Sequence, residues 1–427
     1  MTKLRTHCIV LLFCAVAVIA APAQSIFFTS LASFDGSDGG YPGYMSLVQG
    51  GDGNFYGTTM VGGANFDSIC FPGGSGCGTV FKVTASGVIS ALYSFCAQAN
   101  CADGASPWAG LVLGSDGDFY GTTYTGGANN CYGGSNNCGT VFKVSSAGAL
   151  TTVHSFNGAD GAQPSAALVQ VGGSFYGTTV NGGANGAGGT VFRMTPNGTL
   201  TTLYSFCSQA NCTDGHGPSA PLVQGSDGNL YGTTEYGGAY DAGTVFKMTP
   251  AGALTTLYSF CSQPNCTDGE APSAGLVQAP DGNFYGTTWL GGSGPCMYGC
   301  GTVFKINPTS PPGQGMTMLH RFQGYPAEGA SPAAGLVRGR DGNFYGTTRA
   351  GGANYGTVFK VTSAGTLTTL HVFCVQGICH DGSSPLGGLL QAGNGFLYGT
   401  TQQGGAYSVG TVFIILVPPG QCATCRP

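Results

Sequence analysis

Runs of four to seven apolar and β-branched residues recur along this chain, each closed by Gly, Asp, Asn or Pro. In the stretch 221–260 the runs are Pro221 to Gly225, Leu230 to Thr234, Gly243 to Thr249 and Leu254 to Phe260. Their length, aromatic content and turn punctuation predict four short strands. Ser226-Asp-Gly-Asn229 and Thr249-Pro-Ala-Gly252 join the first and last pairs with tight-turn chemistry. No helical periodicity of useful length interrupts the pattern.

The four-run unit occurs seven times. Its marker, Tyr-Gly-Thr-Thr, starts at Tyr56, Tyr120, Tyr176, Tyr231, Tyr285, Tyr345 and Tyr398, at spacings of 53 to 64 residues. Gly-Thr-Val-Phe follows each copy, from Gly78, Gly139, Gly189, Gly243, Gly301, Gly356 and Gly410. Repetition at such a period marks a repeat architecture. Seven units of four antiparallel strands predict an all-β, seven-bladed β-propeller, since a closed ring removes the exposed sheet edges of an open array. A β-solenoid is the runner-up, with repeats that are usually shorter. The last unit lacks its fourth strand, so Ile26 to Phe34 is expected to pair with Thr411 to Leu416 and close the ring.

Short turns then fall on one face and long connections on the other. Sixteen cysteines lie beyond the first 23 residues, as near-neighbour pairs: Cys70 and Cys77, Cys96 and Cys101, Cys131 and Cys138, Cys207 and Cys212, Cys261 and Cys266, Cys296 and Cys300, Cys374 and Cys379, and Cys422 and Cys425. All but the last pair sit in the longer versions of the long connections, so each insertion is expected to carry its own disulfide. Such a staple restrains a small loop by about 2–3 kcal/mol on the chain-entropy account. Cys422 and Cys425 form a CxxC in the tail, and a disulfide is expected there too. Zinc is disfavoured, because the pairs lie in separate repeats and lack histidine partners, and no cofactor motif is present.

The start of the chain changes the setting. Lys3 and Arg5, the apolar run Cys8 to Ala20 and Ala21-Pro22-Ala23 read as a secretory leader over 1–23. The propeller is expected over 24–417 and a tail over 418–427, in an exported protein, periplasmic or extracellular. The apolar run is too short for a bilayer, and no other stretch spans one. With 13 basic and 18 acidic residues the formal charge is −5. Losing Lys3 and Arg5 takes it to −7, and no basic run suits nucleic acid. Charged residues are only 7% of the chain, so Thr, Ser, Asn, Gln and backbone cover the surface.

The repeat Asp-Gly-Asn-Phe-Tyr-Gly-Thr-Thr, Gly-Gly-Ala, Gly-Thr-Val-Phe-Lys-Val-Thr, Ala-Gly-x-Leu-Thr-Thr-Leu-Tyr-Ser-Phe resembles that of the bacterial GloVer "choice-of-anchor" family. The resemblance covers essentially everything after the leader. It implies export and a repeat fold, and it carries no catalytic residue across. The family's members end in varied sorting tails, whereas Val417 to Pro427 holds no apolar anchor.

Positions repeated in every unit read as structural. Asp38, Asp103, Asp160, Asp214, Asp268, Glu328 and Asp381 each precede a glycine and are expected to accept backbone N–H bonds in their turns. Asp52, Asp116, Asp227, Asp281 and Asp341 sit in the tight turns. His154, His320 and His371 replace an outer-strand tyrosine and read as structural too. Function is expected where units differ. Directly after Tyr-Gly-Thr-Thr stand Met60, Tyr124, Val180, Glu235, Trp289, Arg349 and Gln402. Tyr124, Trp289, Arg349 and Gln402, with Trp108 nearby, are the ligand-binding candidates, and the aromatics suit stacking on sugar rings. A glycan or another surface protein is the partner class this suggests. Glu235, Asp241 and Glu270 share one sector. Two of them at ~5–10 Å would allow glycoside chemistry, making a carbohydrate-active hydrolase or lyase the rival reading. A purely structural cell-surface protein is the other, and a binding module is the main expectation.

Overall fold

Each Tyr-Gly-Thr-Thr forms the second strand of a four-stranded antiparallel sheet, and seven such sheets stand around one axis. This computed structural model describes residues 27–44, 46–70, 75–131, 138–326, 328–375 and 377–416. In the fourth blade the strands are Val223–Gln224, Leu230–Thr234, Thr244–Met248 and Leu254–Ser259, running from the axis outward. The seventh blade takes its outermost strand from the start of the chain. Phe27–Ser33 pairs with Thr411–Leu416, from Phe27 opposite Leu416 to Ser33 opposite Thr411. The expected closure is therefore present, and the ring is a seven-bladed propeller. Residue Ile26, the expected leader (1–23) and the expected tail (418–427) lie outside the described residues.

The repeated tetrapeptide can be explained atom by atom. The tyrosine hydroxyl donates to the turn aspartate four residues back, at 2.7–2.8 Å in Tyr56, Tyr120, Tyr231, Tyr285 and Tyr345. Burial, together with that carboxylate, pushes these phenols up, to about 12 for Tyr120 and Tyr285. Four of these rings stack on a phenylalanine of the next blade, with Tyr231 and Phe284 centred 4.0 Å apart, while Tyr345 packs with Leu397. Glycine follows because a Cβ on Gly286 would lie 2.6 Å from the Phe304 ring. The first threonine crosses the seam, as Thr58 Oγ1 donates to the Ala109 carbonyl at 2.7 Å. The second meets the threonine of Gly-Thr-Val-Phe, as in Thr288 and Thr302 at 2.8 Å.

All seven seams share a second aromatic contact. The phenylalanine ending each outer strand meets edge-on the phenylalanine of Gly-Thr-Val-Phe in the next blade, from Phe34–Phe81 at 4.9 Å to Phe373–Phe413 at 5.4 Å. Each hydrophobic cluster consequently spans two blades. No sheet buries both of its faces alone, which is why the repeats need each other.

The seven disulfides within the described residues join Cys70–Cys77, Cys96–Cys101, Cys131–Cys138, Cys207–Cys212, Cys261–Cys266, Cys296–Cys300 and Cys374–Cys379. The eighth expected pair does not join this set. Cys422 and Cys425 both lie outside the described residues, so their disulfide stays an expectation of the sequence. Two pairs expected to lie apart meet. The four sulfurs of Cys70–Cys77 and Cys96–Cys101 lie within 4.8 Å of one another, with Cys70 Sγ and Cys96 Sγ 3.6 Å apart. The first blade is where both kinds of long connection carry cysteines, and these connections are neighbours on the same face. Bonded in pairs, the sulfurs offer no thiolate to a metal.

Candidate functional site

Antiparallel order puts all long connections at one end of the strands, and there the variable ring forms. Each residue after Tyr-Gly-Thr-Thr is fixed through its backbone. The N–H groups of Met60, Tyr124, Val180, Glu235, Trp289, Arg349 and Gln402 donate at 3.0–3.3 Å to the carbonyls of Tyr41, Ser106, Gln163, Gly217, Ala271, Ser331 and Ser384. Each acceptor immediately precedes a proline and is left-handed, with φ between +50° and +63°. For the six that are not glycine this costs about 1–3 kcal/mol each. Two bonds offset it, because their own N–H groups reach back across the seam to Val409, Cys77, Cys138, Gly188, Ala242, Cys300 and Tyr355 at 2.8–3.0 Å. Cys77, Cys138 and Cys300 are disulfide-bonded, so the staples hold the carbonyls that receive the next blade.

Above the axis this ring bounds a cavity of about 620 Å³. Ser46, Gly110, Ala167, Pro221, Gly275, Gly335 and Gly388, each just ahead of a first strand, line it. So do Tyr44, Trp108, Tyr124, Val180, Glu235, Tyr236 and Trp289 of the long connections and variable ring. Three of the five binding candidates, Trp108, Tyr124 and Trp289, therefore line one cavity. Trp108 lies flat on Tyr124, 4.3 Å between ring centres and 8° between planes, and Tyr44 stands 6.3 Å from Trp108. Arg349 does not line the cavity but places its guanidinium 5.9 Å from the Trp289 ring centre. Gln402 is half-buried away from the cavity wall.

The three sector carboxylates do not converge on the cavity. Glu235 alone lines it, and its Oε1 accepts the Tyr236 hydroxyl at 2.8 Å. Asp241 is 83% exposed, accepts the Gly237 N–H at 3.1 Å and faces His216 Nε2 at 3.7 Å. Glu270 pairs through its backbone with Leu290, and burial pushes its carboxyl up. The arrangement supplies stacking surfaces, one acceptor carboxylate and one cation, but no two of these carboxylates on the cavity wall.

Sequence reasoning missed Tyr44 and Tyr236. Tyr44 had a signal: five steps separate Pro42 from Leu47, where the other units have four. Burial raises the Tyr44 phenol, Arg349 pulls it back, and Glu235 adds to the rise.

The repeated acids hold the connections, as expected. Asp268 accepts the Tyr258 hydroxyl at 2.7 Å and the Ser262 and Gln263 N–H groups, and His154, His320 and His371 take the tyrosine's place toward Asp160, Glu328 and Asp381. Asp38 differs. Burial raises it from an ordinary 3.8 to about 6, partly offset by the Asp35 N–H, with the Asp35 carboxylate adding to the rise. A carboxyl raised on folding favours the protonated fold, so this contribution is present below pH ~4 and is lost as pH climbs toward 6. Thermal melts should show Asp38→Asn losing less stability than the wild type between pH 4 and 6. That difference isolates Asp38 from His371, which burial lowers and which acts in the opposite sense. Equal slopes would contradict it.

The profile of the Gloeobacter/Verrucomicrobia repeat matches residues 72–296 and 263–425. The chain belongs to that repeat family. No curated protein matches it. Among solved structures, this repeat-family member is similar to a Bacteroides uniformis protein named as a candidate 6-phosphogluconolactonase, with 17% identity, 81% of this chain and 89% of that one covered, and a TM-score of 0.50. It is also similar to the periplasmic gluconolactonase of Pseudomonas aeruginosa, at 17% identity, 85% and 99% coverage and a TM-score of 0.48. At such identity the likeness concerns the fold alone.

Proposed function

We propose that this protein is an exported binding module that takes a small saccharide, or the end of a longer one, into the long-loop end of its central cavity. The observation that carries this reading is the convergence of Trp108, Tyr124, Trp289 and Tyr44 with Glu235 on one cavity of about 620 Å³. That volume lies in the range of small-molecule sites, and flat aromatic walls with few polar groups are their usual make-up. A sugar offers apolar C–H faces for the rings and hydroxyls for the carboxylate. Export is supported by the leader-like start and by seven disulfides, which persist outside reducing compartments. A flat, purely structural face is disfavoured by aromatics set around a concavity.

The chain holds two tryptophans, Trp108 and Trp289, and both line the cavity. Intrinsic indole emission is therefore a reporter of this site. Titration with a panel of mono- and oligosaccharides is expected to shift or quench it saturably. By calorimetry, Trp289→Ala should weaken the best ligand about 30-fold, the ~2 kcal/mol of a central aromatic anchor. A panel that leaves both emission and heat unchanged would refute the reading. So would cleavage of a polysaccharide that Glu235→Gln abolishes, which would favour the enzyme instead.

A further inference from the structure

Resting on that reading, the geometry points to an acidic saccharide, one whose stacked unit carries a carboxylate taken by Arg349. Of the seven residues in the variable ring, Arg349 is the one cation and Glu235 the one anion. Their situations differ. Glu235 is half-buried and its oxygen already receives the Tyr236 hydroxyl. Arg349 is exposed, and among the described residues its side chain makes no ion pair and no hydrogen bond; its contact is with the Trp289 ring. A guanidinium presents five donors in a fork that matches a carboxylate. Here the fork is unspent, beside the indole on which a sugar ring would lie.

The two charges do not neutralise each other, since no ion pair joins them among the described residues. Both reach Tyr44, where the pull of Arg349 exceeds the push of Glu235. Among the described residues Arg349 is thus an unpaired cation beside the Trp289 ring, on a chain of net negative charge. Screening confines that net charge, whose distant members act weakly beyond ~8–10 Å. Glu235, which lines the cavity from the blade before Trp289, accepts hydroxyl hydrogens and repels a second carboxylate. The site is therefore selective for one acidic unit, not for a polyanion.

The test compares a saccharide with a single carboxylate, methyl galacturonoside, with its carboxyl-reduced counterpart, methyl galactoside, by calorimetry on the whole mature protein at 20 and 200 mM NaCl. The acidic ligand is expected to bind at least tenfold more tightly at low salt, with the margin shrinking at high salt. Arg349→Gln should abolish the margin and Arg349→Lys keep part of it. Glu235→Gln should tighten the acidic ligand severalfold and leave the neutral one no tighter. Trp289→Ala should weaken both. Equal binding of the two saccharides, or a margin that survives Arg349→Gln, would overturn this inference and leave saccharide binding standing. Binding of neither, with no saccharide of the wider panel bound, would overturn both. Because Arg349 is exposed, its substitution leaves folding intact, which a melt on each variant checks.

Discussion

Gly301→Ala will destabilise the ring far more than Gly282→Ala, although both glycines lie in one blade and both have positive φ. Gly282 has φ +81° and nothing within 4 Å of where a Cβ would stand. Its substitution meets the backbone cost alone, about 1–2 kcal/mol. Gly301 has φ +88°, and a Cβ there would lie 2.5 Å from the Thr288 carbonyl oxygen and 2.6 Å from Pro332 Cδ of the next blade. Neither neighbour is a flexible chain end, so overpacking adds roughly 1–3 kcal/mol. The total, about 2–5 kcal/mol, should appear as a lower denaturant midpoint with the slope unchanged. Since Trp289 O is 2.9 Å from the same point, the Trp289 emission should move as well. Equal losses for the two variants would show that crowding at the seam is not the reason for this glycine.

Phe34→Ala will cost about 3–5 kcal/mol, as deletion of a fully buried aromatic does. Phe34 is completely buried and follows the closing strand, meeting Phe81 of the first blade. Phe206, equally buried, meets Phe246 at 5.4 Å in a seam where the chain simply runs on. The two alanine variants should lose the same stability within about 1 kcal/mol, measured side by side in guanidinium. Phe27→Ala, at a residue 59% exposed on the same strand, should change little. A much smaller loss for Phe34 than for Phe206 would mean that the seventh seam is not packed like the rest.

What could be read beforehand follows the symmetry. Tyr-Gly-Thr-Thr repeats because its residues meet nearly the same neighbours from blade to blade, although Tyr176 and Tyr398 lack the turn aspartate and Thr400 Oγ1 makes no hydrogen bond; fold, closing strand and the disulfides of the long connections were therefore all legible. Cysteines five residues apart, such as Cys207 and Cys212, have few partners to choose from. The site breaks the symmetry, and there the reading was partial. Trp108 stands where Ser165, Ser219 and Ser273 stand in later units, but its stacking on Tyr124 depends on the curvature of the ring. The grouping of Glu235, Asp241 and Glu270 followed from closeness in sequence. Side-chain direction separated them, because Asp241 is drawn to Gly237 and His216. Gln402 shares a repeat position with Trp289, yet a shared position fixes the backbone and not where the side chain points.

The left-handed residue before each proline ties every blade to its predecessor by the same pair of bonds, and Tyr41 does this to Val409 as Ala271 does to Ala242. No blade is first in a physical sense. With Phe27 directly opposite Leu416, a few added residues could splice the ring at these two positions, and a new opening could be cut at an exposed turn such as Pro250-Ala251. A circularly permuted chain should then assemble the same ring, with its aromatic cavity intact, from any starting blade.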